Sequence, residues 1–207
     1  MNTRELAELG PVIPVIVLRR TEDAVPVAQA LVAGGVRVLE VTLRTPVALR
    51  CMESIARAVP EAIVGAGTIR SLGDAQAAKD AGCRFAVTPG YSRAIGERCR
   101  ELGLPLLPGV ATASEVMAAS GDGFDLLKFF PAVPAGGVPM LKALSGPFAD
   151  VAFCPTGGIT PDNAPQFLAL PNVKVCGGTW LVPDDAVAAG DWARITALAR
   201  SAASLRV

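Results

Sequence analysis

Histidine is absent from the 207-residue chain. A histidine-ligated zinc site and any Ser-His-Asp or Cys-His catalytic pair are therefore excluded. Acid–base chemistry near neutral pH falls to a carboxylate, a lysine, a thiol or the single tyrosine, Tyr91. Lysine is scarce as well: only Lys79, Lys128, Lys142 and Lys174 occur, beside fifteen arginines. The formal net charge is zero, without the basic excess that nucleic-acid binders carry. Apolar runs such as PVIPVIVL fall well short of the ~18 residues that span a bilayer. The first ten residues, MNTRELAELG, contain no apolar signal-peptide core. Cys51, Cys83, Cys99, Cys154 and Cys176 are odd in number and form no CxxC pair, so they read as reduced thiols of a cytoplasmic protein. Neither a nucleic-acid nor a membrane partner is expected.

What the chain does have is a repeating alternation. Short runs of Val, Ile, Leu and Phe recur about every 20–25 residues between Ala-rich helical stretches, the pattern of βα units. The strand positions are Val12–Leu18, Val36–Arg44, Ala62–Thr68, Phe85–Pro89, Pro105–Val110, Asp125–Pro131, Val151–Thr156 and Val173–Thr179. Most are continuously apolar, as strands buried on both faces are. Thr45-Pro46 and Thr160-Pro161 read as an N-cap followed by proline at the first helical position, Thr112 to Glu115 as a capping box, and Asp191 as the cap of the last helix. Gly34-Gly35, Gly82 and Gly103 stand where left-handed C-caps belong. Eight such units in series, behind a short N-terminal helix, imply one compact α/β domain over residues 1–207, a (β/α)8 barrel. An open doubly wound sheet is disfavoured, because no GxGxxG or GxxxxGK[ST] opens a helix.

Active sites of parallel barrels lie at the C-terminal strand ends. Here those ends are polar. In FDLLKFFP, alternation puts Leu126, Lys128 and Phe130 on one strand face. Desolvation among such neighbours would penalise the ammonium and favour the neutral amine that attacks a ketone. The alternative is a rim lysine whose ammonium reaches water. In EVTLR, Glu40, Thr42 and Arg44 share one face. They form either a structural ion pair or a functional set, with Arg44 on a substrate carboxylate and Glu40 as acid or base. PTGG (155–158) and GGTW (177–180) close the seventh and eighth strands, where barrels often hold phosphate. Their glycines let backbone N–H groups approach an anion, and Thr156 and Thr179 add hydroxyls. Tight turns alone would also explain the doublets. GAGT (65–68) suits close packing, with Thr68 a possible donor. Tyr91 is placed near the mouth without a chemical role, and Cys154 and Cys176 read as core.

In order and combination these motifs closely resemble the KHG/KDPG aldolase family, whose substrate is 2-keto-3-deoxy-6-phosphogluconate. PVIPVIVL, ALVAGGVRVLEVTLRT, AIVGAGT, TPG, PLLPGVAT, LKFFPA, FCPTGGI and GGTWLVP carry the resemblance over nearly the whole chain. It implies a class I, Schiff-base lyase without metal or cofactor, a homotrimer of (β/α)8 barrels. It gives Lys128 as the imine lysine, Glu40 as general acid/base and Arg44 as the carboxylate ligand. Thr68, Pro89 and Phe130 would surround the pyruvate portion. Thr156, Gly157, Gly158, Gly178 and Thr179 would hold the phosphate and nearby hydroxyls. The implied products are pyruvate and D-glyceraldehyde 3-phosphate, with 4-hydroxy-2-oxoglutarate a second implied substrate. Many relatives have serine where this chain has Thr179, and the added methyl bears on substrate preference. Two other readings compete: a phosphosugar isomerase or epimerase with Glu40 as base, and a non-catalytic barrel that binds phosphorylated acids.

Overall fold

The computed structural model describes residues 1–205. Strands form at all eight apolar runs. They are β1 (Val12–Ile16), β2 (Val38–Thr42), β3 (Ile63–Gly67), β4 (Phe85–Val87), β5 (Leu106–Leu107), β6 (Gly109–Val110), β7 (Leu126–Phe129), β8 (Ala152–Pro155) and β9 (Cys176–Gly178). The fifth run is split into β5 and β6 at Pro108, which has no N–H to give to a ladder. Its carbonyl still accepts from the Lys128 backbone N–H at 2.8 Å. All the pairings are parallel, in the orders β5-β4-β3-β2-β1-β9 and β6-β7-β8. Bridges between Phe153 and Val173 and between Thr156 and Gly177 join β8 to the β9 segment and close the ring. The result is a (β/α)8 barrel.

The helices are α1 (Thr3–Glu8), α2 (Ala24–Ala33), α3 (Ala48–Ala58), α4 (Leu72–Asp80), α5 (Arg93–Glu101), α6 (Ala113–Gly121), α7 (Gly137–Ser145), α8 (Ala164–Leu168), α9 (Asp184–Ala189) and α10 (Trp192–Ala203). None is long and apolar enough to cross a membrane. Thr112 and Asp191 cap α6 and α10 through their side chains. Gly35, Gly82 and Gly103 adopt the left-handed conformation after their helices, whereas Gly34 does not. Thr45 departs from expectation. Its hydroxyl donates to the Leu18 carbonyl at 2.6 Å, and α3 begins three residues later without a side-chain cap. A tertiary acceptor has outcompeted the local one. Thr160 caps a turn by exchanging bonds with Asn163, and α8 starts only after it.

Strand alternation sorts the core into two layers. Ile13, Val38, Ile63, Phe85, Val87, Leu107, Leu126, Ala152, Cys154 and Val175 point into the barrel. Leu39, Val41, Val64, Ala66, Ala86 and Leu106 on one side, and Leu127, Phe129, Phe153 and Cys176 on the other, face the helices. Leu6 and Ala7 of α1 join the interior cluster and plug its lower end. Arg4 fixes that plug, bonding the Asp125 side chain and the backbone carbonyls of Asp125 and Asp150 where β7 and β8 begin. Sealing the floor leaves the C-terminal strand ends as the open end of the barrel.

Phe85 fills the interior beside Gly65, its partner across β3 and β4. A methyl group at Gly65 would overlap the Phe85 ring, whereas one at Gly10 would meet nothing within 4 Å. Gly65→Ala is expected to cost about 1–3 kcal/mol by overpacking, and Gly10→Ala to stay within about 0.5 kcal/mol of wild type. Urea unfolding of the two variants checks this contrast.

Candidate active site

Lys128 projects from β7 into the barrel, between the interior-facing Leu126 below and Phe130 above. Its backbone neighbours across the sheet are Gly109 and Cys154. Glu40 projects inward from β2, paired with Val15 on one side and Gly65 on the other. The two side chains meet at 3.2 Å, Lys128 Nζ donating to Glu40 Oε1, and each is only 4% exposed. Among the described residues no other ion pair has both partners buried. The rim-lysine alternative therefore does not describe this side chain. The Glu40 carboxylate is the amine's hydrogen-bond acceptor. The consequence is chemical: the proton the amine must lose before attacking a carbonyl has an acceptor within reach. The Lys128 Nζ also lies 5.2 Å from the centre of the Phe130 ring.

The polar row of β2 then divides. Thr42 is fully buried and donates to the Ile16 carbonyl at 2.9 Å, which ties β1 to β2. Arg44 is exposed at the rim and does not pair with Glu40; its Nε donates to the Thr68 hydroxyl at 3.4 Å. The structural Glu40–Arg44 pair considered from the sequence is thus replaced by Glu40–Lys128, and the guanidinium keeps its other donors for a ligand. Thr68 sits at φ 64, among the described residues the one non-glycine in the left-handed region. For a β-branched residue this is a strained conformation, costing about 1–3 kcal/mol. It ends β3 abruptly and turns the hydroxyl toward Arg44.

A cavity of about 190 Å³ opens at this end, walled by Val15, Arg44, Phe130, Thr156, Gly157, Gly158, Ile159, Gly177 and Thr179. Seven of these lie in the EVTLR, KFFP, PTGG and GGTW motifs. Gly157 and Gly158 both have positive φ, at 99° and 78°, and reverse the chain directly after β8. Ala132 and Val133 donate to the carbonyls of Thr156 and Gly157, which fastens the loop after β7 to the loop after β8. Gly178 has a different reason to be glycine: any Cβ there would overlap the Trp180 ring. Pro89 lies outside the cavity wall, half-buried, with its backbone packed against Gly109 next to Lys128. A larger hollow of about 450 Å³ opens beside the plugging helix, lined by Arg4, Glu8, Gly10 and Lys174 among others. It lies away from Lys128 and Glu40, so size alone does not locate the chemistry.

The KDPG and KHG aldolase family model matches residues 4–198. The chain belongs to this family. It is 53% identical to the KHG/KDPG aldolase of Escherichia coli over 97% of this chain and 94% of that one. Its fold superimposes with a TM-score of 0.96 on KDPG aldolase from Legionella pneumophila, captured with pyruvate as a covalent carbinolamine, at 46% identity and 99% coverage of both chains. A second aldolase structure, from Zymomonas mobilis with 3-phosphoglycerate, gives a TM-score of 0.92 at 46% identity, covering 98% of this chain and 95% of that one.

In this member of the KDPG and KHG aldolase family Cys154 lies across the sheet from Lys128 and feels the charges of both Lys128 and Glu40, whereas Tyr91 stands apart from that pair. Tyr91 is not at the mouth. Its ring packs edge-on to Phe124, its hydroxyl donates to Asp122, and burial with that bond pushes its pKa up to about 12. No group of three or more Cys, Asp or Glu side chains that could hold a metal occurs among the described residues. All five cysteines are buried. Burial raises every thiol, Cys99 to about 11 and Cys83 and Cys154 to about 12. The native protein at pH 8 should therefore give no fast reaction with Ellman's reagent, and all five thiols should react once it is unfolded; a fast native equivalent would identify an accessible thiolate.

Proposed function

We propose that the buried Lys128–Glu40 pair performs the aldol cleavage, with the rim residues holding the two charged ends of the substrate. The chain is a class I aldolase of 2-keto-3-deoxy-6-phosphogluconate, an Entner–Doudoroff lyase. One observation carries the assignment of roles: a buried amine and carboxylate at 3.2 Å, whose neighbours Phe130 and Val15 also line a cavity edged by arginine, threonines and glycine turns.

The steps follow from that arrangement. The Lys128 amine, its proton passed to Glu40 or water, adds to the C2 ketone, and loss of water leaves a protonated imine. Arg44 and Thr68 hold the C1 carboxylate, with Phe130 and Pro89 against the pyruvate portion. Glu40, directly or through a water, removes the proton of the C4 hydroxyl. The C3–C4 bond breaks, its electrons pass into the imine to form an enamine, and D-glyceraldehyde 3-phosphate leaves. Protonation of the enamine at C3 and hydrolysis release pyruvate and restore the amine. Thr156, Gly157, Gly158, Gly178 and Thr179 hold the phosphate and its neighbouring hydroxyls. Gly178 does so through its backbone, since its side-chain space belongs to Trp180. 4-Hydroxy-2-oxoglutarate lacks a phosphate, so its cleavage would use the lysine, carboxylate and arginine without the glycine turns. A homotrimer is inferred from the motif resemblance and a cytoplasmic place from the unpaired thiols; light scattering that gives a single chain mass would rule out the trimer.

Borohydride added with pyruvate should trap a stable adduct, located by mass spectrometry on Lys128. Lys128→Met should abolish both trapping and cleavage; normal turnover by that variant would end the proposal. Glu40→Gln should lower kcat by ~10²–10⁴-fold, the usual worth of positioned acid–base help. A coupled assay for pyruvate should show faster release from the gluconate-derived substrate than from its galactonate epimer.

A further inference from the structure

The interior face of β3 carries Ile63, Gly65 and Gly67, with Ala66 turned toward the helices. Glycine inside a strand weakens it, through lost entropy and an absent side chain, and marks a close approach by some other group. At Gly65 that group is Phe85. At Gly67 it is Glu40. A Cβ there would overlap Oε1 and lie 2.8 Å from Cγ and 2.9 Å from Cδ, and these are the three nearest heavy atoms. Gly67 is not at positive φ, so its backbone would accept alanine. Its carbonyl receives the Leu43 N–H at 2.9 Å, and Thr42 is its partner across β2. The backbone is thus held by ordinary ladder bonds, and the missing side chain is the feature that needs a cause.

We infer that Gly67 is a positioning residue for the reaction: the space it leaves open at the end of β3 holds the Glu40 carboxylate against Lys128. This rests on the acid/base role proposed for Glu40. The carboxylate is boxed. Gly67 backs it, the Lys128 Nζ faces it at 3.2 Å, and Phe85 fills the space beside Gly65, the residue that pairs with Glu40 across the sheet. A methyl at position 67 cannot be absorbed by backbone strain relief, so it moves the carboxylate. Reactive groups misplaced by about 1 Å lose on the order of 10²-fold in rate.

The test uses the full chain and four enzymes: wild type, Gly67→Ala, Glu40→Gln and the double variant. Gly67→Ala should lose ~10–10²-fold in kcat while KM moves less than about twofold, because the rim contacts to the charged ends are untouched. In the Glu40→Gln background the same change should add less than about twofold, since the group it displaces no longer does the chemistry. Losses that multiply, or wild-type kcat in Gly67→Ala, overturn the inference. If Glu40→Gln itself turns over normally, the acid/base reading falls and takes this inference with it; if Glu40→Gln is impaired and Gly67→Ala is not, only the role of Gly67 falls. Should Gly67→Ala fold poorly, Gly67→Ala/Glu40→Ala decides, because it removes the atoms the methyl meets. Urea stability restored to that of Glu40→Ala supports the inference, and stability left equally low overturns it.

Discussion

Two opposite charges 3.2 Å apart, almost sealed inside a barrel of parallel strands, are the constraint around which the upper half of this molecule is built. Removing either from water costs several kcal/mol, and their attraction only partly offsets that cost, so such a pair is not a device for stability. Deleting one partner leaves the other charged and buried, at a cost of about 3–5 kcal/mol. The packing near the pair has the features this demands. Gly67 supplies room for the carboxylate, Gly109 lets the Pro89 backbone close in on the strand beside Lys128, Phe85 fills the space below, and the Phe130 ring lies over the amine.

The barrel is graded along its axis as a result. Its lower layers are apolar and end in α1, pinned by Arg4. Its upper end changes from the buried pair to half-buried Thr68 and Phe130, and then to exposed Arg44, Gly158 and Thr179. With the roles proposed for these residues, a substrate entering from the rim meets its anion ligands first and the amine last. The strain at Thr68 and the consecutive left-handed glycines 157 and 158 sit at the same level, where the chain must turn sharply without burying unsatisfied backbone. Stability resides in the two helix-facing clusters and the floor, which frees the rim to adopt conformations that a strand or helix interior would not tolerate.

Much of this was legible along the chain. Strands buried on both faces must be continuously apolar, so eight runs announce eight strands, while the break at Pro108 appears only in the structure, since Pro14 sits inside β1 without breaking it. Local caps such as Thr112 and Asp191 were readable because donor and acceptor lie three residues apart. Thr45 reads as a local cap, but its acceptor, Leu18, lies on the loop after β1. Tyr91 follows a strand end in the chain, but Asp122 and Phe124, which hold it, come from another unit of the barrel.

The candidate site shows where that boundary lies. Composition alone reduced the reactive amines to four lysines, and alternation along one strand put Lys128 on the inner face. Those are properties of a residue and its immediate neighbours. Its partner is 88 residues away, and no periodicity connects the two. Whether Glu40 would meet Arg44, four positions along its own strand, or Lys128, across the barrel, depended on how far the ring of strands closed and which side chains shared a level. The sequence by itself determined the strand count, the inward faces and the short menu of chemical groups, because each follows from local backbone geometry. Only the closed barrel decided which groups touch, because contact across its interior is set by strand register, and register is a property of the whole ring.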